Sequence, residues 1–364
     1  MKHIAIVGAG VTGVSTAYSL LKRGFKVTVF DRERYAAMQT SFANGGQLSA
    51  SNAEVWNQTS TIIKGLKWMF RRDAPLLVNP KPSWHKLSWM AEFVAAIPHY
   101  EKNTIETTRL AIAARESLFQ WARDEGIDFD LETRGILHIY QDKKGYDHGE
   151  KVNRLLADGG LVRRAVTAEE MRAIEPTLTG EYYGGFFTES DATGDIHKFS
   201  RGLAAAAARM GAEFHYETEV DNLRHTGSGI EINSRRTNGG PEHEPAGVTE
   251  HYDGVVICAG VRSREFAAQL GDRVNVYPVK GYSVSINLPD EASQTAAPWI
   301  SLLDDDAKVV TSRLGANRLR VAGTAEFNGF SKDIRNDRIE PLVRWCRHHF
   351  PGVDTEHVVP WAGL

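Results

Sequence analysis

The sequence predicts an α/β protein that combines a parallel sheet with a mixed, mainly antiparallel one. The first observation is a strand–helix–strand pattern at the start of the chain, where HIAIV (3–7) and FKVTVF (25–30) are apolar strand patterns. The second is YDGVVICAG (252–260), a buried strand pattern of the parallel type. The third is a group of antiparallel-looking strands after residue 274.

The segment between the first two strands has the features of a helix. In TGVSTAYSLLKRG, Val14, Ala17 and Leu21 fall on one face, basic residues stand near the end, and Gly24 can terminate the helix. The start of the chain is therefore a βαβ unit, whose crossover connection should be right-handed.

The remaining pattern predicts two domains, each discontinuous in sequence. Residues 53–130 have mostly helical patterns, whereas strand and helix patterns alternate after them. One domain is of the nucleotide-binding type, and the other is an inserted α+β domain built on the mixed sheet. We assign to the first domain residues 1–52 and 192–272, and to the second domain residues 53–191 and 273–364.

Composition excludes several classes of protein. The chain has 364 residues, of which 42% are apolar and 24% charged, and this is ordinary for a globular protein of about two domains. Its net charge of −3 gives no basic bias toward nucleic acid. Two cysteines, Cys258 and Cys346, provide no disulfide framework and no Cys-rich metal site, and they fit a reducing cytoplasm. No apolar run is long enough to predict a transmembrane helix.

GAGVTG, residues 8–13, matches the G-x-G-x-x-G pattern in the context that gives it meaning. A strand precedes it, a helix follows it, and Asp31 ends the second strand. Gly8 allows a tight turn, Gly10 lets a pyrophosphate approach the backbone, and Gly13 permits close helix–strand packing. Because Asp31 can bond the ribose hydroxyls, the sequence favours a Rossmann-type site for FAD or NAD over NADP.

The segment TSFANGGQLSAS (40–51) favours FAD over NAD. A flavin is a wide, flat ring, and Gly45 and Gly46 remove Cβ atoms from the place where it would lie. Thr40, Ser41 and Asn44 are short hydrogen-bonding residues that suit phosphate or ribityl oxygens. The alternative is a flexible surface loop. Since the chain has no second G-x-G-x-x-G and no closely spaced cysteine pair, we expect its reducing equivalents to come from a small organic substrate.

Several segments, in order along the chain, resemble those of the D-amino-acid dehydrogenases. These enzymes belong to the FAD superfamily of D-amino-acid oxidase, glycine oxidase and sarcosine oxidase. The resemblance covers nearly the whole chain and is carried by IVGAGVTGVSTAYSLLKRGFKVTVFDRE, TSFANGGQLSAS, LKWMFRRDAPL, ATGDIHKF, YPVKGYSVSI, NRLRVAGTAEF and WAGL. It implies FAD as the cofactor, oxidation of a D-amino acid such as D-alanine to a 2-oxo acid and ammonia, and a quinone or respiratory electron acceptor.

The resemblance also implies a set of FAD contacts and one departure from the family. In the family WAGL is followed by Arg-Pro and several tens of residues, whereas this chain ends at Leu364. We therefore expect a C-terminal segment of the flavin domain to be absent, together with the arginine that pairs with the substrate carboxylate. The implied cofactor-binding residues are Gly8, Ala9, Gly10, Thr12, Gly13, Asp31, Arg32, Ser41, Asn44, Gly45, Gly46, Gln47, Leu48, Val220, Ala259 and Gly260.

Four residues are candidates for the substrate side. Tyr282 follows a glycine that lets a strand bend near the ring; the alternative is a tyrosine that packs within the sheet. Arg313 and Lys308 lie near one strand and would attract carboxylates, unless they belong to a solvated face. His197 is expected either at the flavin edge or as the cap of the helix that begins there; Asp195 is the other candidate cap. The pair His348–His349 lacks a partner at metal spacing and is expected at the surface, and no metal site is predicted.

The predicted function is hydride transfer from the Cα of a D-amino acid to N5 of the flavin. The alternatives are oxidation of another amine, such as hydroxyproline, glycine or sarcosine, or a truncated FAD-binding protein without activity. The segment 62–78 combines aromatic residues with Lys64, Lys67, Arg71 and Arg72. It predicts either a peripheral contact with an anionic membrane surface or a packed helix with a basic outer face. The expected location is the cytoplasm, including the inner face of the cytoplasmic membrane.

Overall fold

The computed structural model describes residues 1–68, 74–238 and 247–364, except for the side chains of residues 66 and 67. The strands are β1 His3–Val7, β2 Lys26–Phe30, β3 Gln47–Leu48, β4 Leu76–Val78, β5 Ile136–Tyr140, β6 Arg164–Val166, β7 Gly184–Thr188, β8 Ala192–Thr193, β9 Glu213–His215, β10 Thr218–Thr226, β11 Gly229–Arg236, β12 Val248–Tyr252, β13 Gly254–Ile257, β14 Lys280–Asn287, β15 Ser301–Asp304, β16 Val309–Arg313, β17 Arg318–Phe327 and β18 Val358–Gly363. The helices are α1 Val11–Lys22, α2 Thr59–Trp68, α3 Trp84–Ala95, α4 Tyr100–Glu125, α5 Lys143–Asp158, α6 Ala168–Ile174, α7 Ile196–Arg209, α8 Ser263–Gln269, α9 Glu291–Ala296 and α10 Asn336–His349.

A four-stranded parallel sheet has the order β13-β1-β2-β9. Side chains alternate between its two faces, as in any strand. Ile6 and Val29 pack with α1 and the Ala-rich α7 on one face. Ala5 and Val7 pack on the other face against the antiparallel meander β10-β11-β12 and α8. The predicted βαβ unit and its parallel pairing with the later strand are confirmed.

The second large sheet is mixed and has nine strands. Its order is β18-β14-β17-β16-β15-β5-β7-β6, and β4 pairs with β17. The β15–β5 and β17–β4 pairs are parallel, whereas the others are antiparallel. Helix α10 covers one face, where Leu342 and Trp345 pack against Val284 and Val321 of the central strands.

The two sheets draw their strands from different parts of the chain. The parallel sheet uses strands within residues 3–30 and 213–257, and the mixed sheet uses strands within residues 76–188 and 280–363. The short ribbon β3–β8 pairs Gln47 with Thr193 and Leu48 with Ala192. The predicted α/β class is confirmed, while the domain boundaries stay predictions. None of the helices in the described part of the chain is long and apolar enough to cross a membrane.

Candidate active site

The glycine-rich turn after β1 is shaped by positions where a side chain would not fit. Gly8 has a φ of +107°, and a Cβ placed there would lie 2.4 Å from the carbonyl oxygen of Cys258. A Cβ at Gly13 would lie 1.8 Å from the carbonyl oxygen of Gly8. Gly10 is different, because its Cβ would meet only the Ser41 hydroxyl, at 3.6 Å. Gly8 and Gly13 therefore form the turn, whereas Gly10 keeps the turn open to a ligand.

Asp31 binds the same turn from the end of β2. Its carboxylate accepts hydrogen bonds from the backbone N–H groups of Ala9, at 2.6 Å, and Glu33, at 2.8 Å. Burial raises the pKa of Asp31, and these two N–H groups act in the opposite direction because they favour the charged form. Each carboxylate oxygen has a second lone pair, so Asp31 retains acceptors for ribose hydroxyls.

Helix α1 begins at the same turn and has an open N-terminus. Gly10 provides no side-chain cap, and the first turn contains no acidic residue among the described positions. The Val11 N–H donates to the Ser41 hydroxyl at 3.1 Å. The partial positive charge of a helix N-terminus favours a bound anion, so this end suits a diphosphate.

Residues 40–51, which we call the cradle segment, lie between α1 and the mixed sheet. The Ser283 hydroxyl donates to the Ala43 carbonyl at 2.7 Å, and the Ser312 hydroxyl donates to the Gly45 carbonyl at 2.6 Å. The segment is therefore an ordered connection between the two sheets. The alternative of a flexible surface loop is wrong.

Gly45 and Gly46 bring the cradle segment close to the mixed sheet. A Cβ on Gly45 would lie 3.1 Å from the Val310 side chain. Gly46 has a φ of +72°, and its Cβ would lie 3.3 Å from both the Gly194 carbonyl oxygen and the Ser312 Cβ. The two glycines therefore permit close packing and a left-handed backbone, and their expected contact with the ring stays a prediction.

The other predicted cofactor residues lie around these features. Ala259 and Gly260 follow β13, directly after the Cys258 carbonyl that faces Gly8. Val220 is buried in β10, at an irregularity in its pairing with β11. The structure thus places residues from four distant parts of the sequence at one end of the parallel sheet. Arg32 forms an ion pair with Glu33, 3.5 Å between nitrogen and oxygen.

Tyr282 lies on the opposite face of the mixed sheet from the cradle segment. It packs in the core with residues of α10, and its hydroxyl donates to the Glu326 carboxylate at 2.9 Å. Its neighbour Ser283 is the residue that faces the cradle segment. The prediction of a substrate-side hydroxyl is therefore not supported, because successive strand residues point to opposite faces.

Arg313 is a structural residue in the described chain. Its guanidinium donates to the carbonyl oxygens of Gly315, Gln294, Ala297 and Ala316, and it lies over the Trp299 ring at 4.3 Å. These bonds use every nitrogen of the group. The prediction that Arg313 attracts a substrate carboxylate is therefore wrong, because no donor is left for one.

Lys308 lies in the turn between β15 and β16, where its Nζ pairs with Asp305 at 2.5 Å. Its side chain is 44% exposed. Lys308 therefore belongs to a solvated face, as the alternative interpretation held, and the structure does not bring it to the cradle segment.

His197 does not cap α7. Asp195 does, since its carboxylate accepts from the backbone N–H groups of His197 and Lys198 at 2.9 and 3.2 Å. The His197 ring instead packs against Phe42 of the cradle segment, 4.8 Å between centroids. Its Nε2 is buried and has no hydrogen-bond partner in the described chain. The other expectation for His197, a place beside the cofactor, stays a prediction.

His349 corrects a further prediction, because it is buried rather than exposed. Its Nδ1 shares a hydrogen bond of 2.7 Å with the Tyr182 hydroxyl, and its ring lies against Trp345. Among the described residues no group of three or more His, Cys, Asp or Glu could hold a metal ion.

Sequence reasoning missed Arg320, the residue that carries a buried positive charge to the cradle segment. Arg320 lies in β17 and donates to the Asn44 carbonyl at 3.2 Å. The available signal was the alternation in RLRVA, where an arginine stands between two core residues. It also missed the ion pair of Arg115 with Asp191, which anchors the end of the cradle segment through the N–H groups of Ala50 and Ser51.

Comparison with known proteins assigns the chain to a family. A model of the FAD dependent oxidoreductase family matches residues 3–364, nearly the whole chain. The chain belongs to this family. As a member it is an FAD-dependent oxidoreductase. The N-terminus of α1, where Gly10 provides no side-chain cap, the open position at Gly10 and the free acceptors of Asp31 fit that cofactor.

Named relatives agree with the assignment, and a solved structure shares the fold. The chain is 60% identical over its whole length to "D-amino acid dehydrogenase 3" of Mesorhizobium japonicum, covering 86% of that protein. It is 38% identical to "D-amino acid dehydrogenase" of Paramagnetospirillum magneticum, with 99% of this chain and 84% of that protein covered. Glycine oxidase from Geobacillus kaustophilus has a similar fold, with a TM-score of 0.72, 22% identity, and coverage of 100% of this chain and 82% of that one.

Proposed function

We propose that the protein is an FAD-dependent D-amino acid dehydrogenase that converts an amino acid of the D-alanine type into a 2-oxo acid and ammonia. The observation that carries this proposal is the 60% identity, over the whole chain, to a protein named D-amino acid dehydrogenase 3. When bound, FAD would supply the acceptor for the two electrons and the hydrogen that leave the substrate Cα.

The residues of the chain bind the cofactor and orient it for the reaction. The open N-terminus of α1 offers backbone donors to the diphosphate, and Asp31 offers acceptors to the ribose. The cradle segment is held against the mixed sheet by the Ser283 and Ser312 hydroxyls. This rigid support matters because flavin-dependent amine oxidation depends on orientation more than on acid–base residues.

The electron acceptor that we propose is a quinone or another respiratory carrier. The support is that both relatives described above are named dehydrogenases. Turnover of D-alanine with a soluble quinone analogue should therefore be much faster than oxygen consumption in its absence. Equal rates with oxygen alone would contradict this acceptor.

We further propose a peripheral contact with the inner face of the cytoplasmic membrane. Its support is the basic and aromatic segment 62–78, of which residues 69–73 lie outside the described residues. Lys64 of α2 is exposed. The protein should sediment with anionic vesicles at low salt and be released at high salt, because screening weakens surface electrostatics. Equal recovery with neutral vesicles would argue against this contact.

A substrate panel distinguishes the proposed reaction from its alternatives. With an artificial electron acceptor, D-alanine should be converted to pyruvate and ammonia, and L-alanine should not. Faster turnover of hydroxyproline, glycine or sarcosine would replace D-amino acids as the substrate class. FAD binding without oxidation of any of these amines would favour a non-catalytic protein.

A further inference from the structure

Helix α3 exposes an apolar side to the solvent. Its exposed positions, apart from Glu92 at the edge, are Trp84, Leu87, Ala91, Val94 and Ala95. With 3.6 residues per turn, these five apolar positions fall within about 100° of one another around the helix axis. They form one continuous stripe, which we call the α3 face. Trp84 is 80% exposed, and Leu87 and Val94 are 51% and 50% exposed.

The opposite side of α3 is packed against the protein, so the helix is firmly docked. The Trp89 ring lies 5.3 Å from the ring of Phe327 in β17. Lys86 is only 5% exposed, and its Nζ donates to the carbonyl oxygens of Asn79 and Lys81. A lysine that points inward below an exposed apolar stripe is the reverse of the usual polarity of a surface helix.

A second exposed tryptophan adjoins the C-terminal end of α3. The Asn57 side-chain amide donates to the Phe93 carbonyl at 3.0 Å, which brings the neighbouring Trp56 to this end of the helix. Trp56 is 61% exposed. Tryptophan is enriched where membrane meets water, because its ring is apolar and its N–H is polar. Exposed apolar side chains that adjoin one another mark a surface that contacts a partner or a membrane.

The sequence around α3 is basic, in contrast to the rest of the chain. Residues 59–91 contain six lysines and arginines and one acidic residue, Asp73, so their formal charge is +5. Because the whole chain has a net charge of −3, the remaining residues together carry −8. Lys64 and Lys81 are exposed. This separation of charge favours a negatively charged partner for the part of the molecule that contains α3.

The chemistry of this surface fits an anionic lipid bilayer better than a protein. Lysine is depleted in protein–protein interfaces. Two copies of the chain paired symmetrically through the α3 face would bring their basic segments together, and like charges repel. By contrast, a helix with Trp and Leu on its outer side and basic residues nearby is typical of helices that lie in a membrane interface.

We propose that the α3 face inserts into the interface of an anionic membrane, while the surrounding basic residues contact the lipid head groups. This inference rests on the peripheral membrane contact proposed above and adds the element that enters the lipid. Positive charge attracts the protein to the surface, and the apolar stripe is then removed from water at the boundary of the acyl chains.

The first test measures cosedimentation of the FAD-loaded protein with vesicles of equal parts phosphatidylcholine and phosphatidylglycerol at low salt. The variant is Leu87→Gln, and the matched control is Leu110→Gln, which changes a leucine of α4 that is 70% exposed. The Kd for lipid should rise about fivefold or more in Leu87→Gln, because its side chain no longer leaves water favourably. In Leu110→Gln it should stay within about twofold. Since both leucines are exposed, both variants should unfold at the same denaturant concentration as the parent protein.

The second test measures depth through tryptophan fluorescence, with vesicles of the same composition whose phosphatidylcholine is brominated on its acyl chains. These vesicles should quench the parent protein. The variant Trp84→Phe retains an apolar ring, so it should still bind, but a smaller fraction of its fluorescence should be quenched. Equal quenched fractions in the two proteins would show that Trp84 stays outside the lipid and would contradict insertion.

The outcomes separate this inference from the proposals on which it rests. Equal vesicle affinity of Leu87→Gln and Leu110→Gln would overturn insertion of α3 and leave a contact through the basic residues. A parent protein that binds no anionic vesicles would overturn both. A parent dimer that Leu87→Gln converts to a monomer, seen by sedimentation velocity without lipid, would assign the α3 face to a second copy and overturn the proposal. D-Alanine oxidation with a soluble acceptor is measured separately, so its absence refutes the proposed reaction and leaves the vesicle result intact.

Discussion

At the scale of single residues, the backbone conformation of Gly46 is expected to control cofactor binding. Its φ of +72° lies in the left-handed region, and a Cβ there would come within 3.3 Å of Ser312 and of the Gly194 carbonyl. Gly46→Val should therefore displace the cradle segment at a cost of about 1–3 kcal/mol. We expect the Kd of FAD to rise about tenfold or more, measured by fluorescence titration of the apoprotein.

The matched control is Gly227→Val, in the hairpin turn between β10 and β11. A Cβ there would meet no atom within 4 Å, and the φ of Gly227 is not in the left-handed region. This variant should bind FAD as the parent protein does. Equal loss in both variants, or normal FAD binding by Gly46→Val, would show that the cradle segment does not depend on this glycine.

Tyr282 provides a second prediction at this scale. Because its hydroxyl bonds Glu326 on the far side of the sheet, Tyr282→Phe should affect stability and not substrate handling. We expect the free energy of unfolding to fall by about 1–3 kcal/mol, since a buried carboxylate loses one donor. The KM for D-alanine should stay within about twofold. A large rise in KM with unchanged stability would restore Tyr282 to the substrate site.

At the scale of elements, the β3–β8 ribbon depends on a buried ion pair. Asp191 accepts from the backbone of Ala50 and Ser51 and pairs with Arg115, and its side chain is fully buried. Asp191→Ala would leave the guanidinium unpaired, so we expect the protein to lose about 3–5 kcal/mol of stability. Denaturant unfolding of the apoprotein measures this loss without any contribution from FAD.

The exposed pair of Lys143 with Asp147 is the appropriate control for that experiment. Both side chains are about half exposed or more, and they are one turn apart in α5. Asp147→Ala should cost at most about 1 kcal/mol, because water screens such pairs. Similar losses in the two variants would contradict an anchoring role for Asp191.

Elements with a strong periodic pattern were predictable, and elements fixed by distant partners were not. The βαβ unit and α7 follow from apolar periodicity and capping residues that lie within the segment itself. The strands β4 and β18 have short or irregular patterns and exist because β17 and β14 offer edges for pairing. The cradle segment was found from its glycines, while its serine contacts come from strands more than 230 residues away.

The substrate side was harder to predict for a related reason. Arg313 and Arg320 look alike in sequence, and both are buried. Only the structure shows that Arg313 donates all its hydrogen bonds to carbonyl oxygens, whereas Arg320 donates to two neutral acceptors. Which donors remain free is a property of tertiary packing, and residue type does not encode it.

At the scale of the whole molecule, His349 makes stability depend on pH. Burial lowers its pKa from 6.5 to about 4, against the opposing effect of Asp304. Since the unfolded chain binds this proton more readily, the contribution is fully present above pH 6.5 and is lost as the pH falls toward 4. The difference between the unfolded and folded pKa values corresponds to about 3 kcal/mol of folding stability. Burial also lowers the pKa of His138, so its contribution to stability is likewise lost as the pH falls.

The variant His349→Asn isolates this effect. Asparagine retains a polar group near the Tyr182 hydroxyl, which bonds Nδ1 of the histidine, but it does not titrate. Its free energy of unfolding should therefore fall less steeply between pH 6.5 and 4 than that of the parent protein. His225→Asn, at an exposed position in β10, should keep the parent slope. Identical slopes for all three proteins would rule out a role for His349.

We propose that the chain binds FAD between the glycine-rich turn and the cradle segment and uses it to oxidise D-amino acids. The most direct measurement is the absorption spectrum of the purified, FAD-loaded protein under anaerobic conditions. Addition of D-alanine should bleach the flavin band, while L-alanine at the same concentration should leave it unchanged. A band that neither D-alanine nor any other D-amino acid bleaches would contradict the claim.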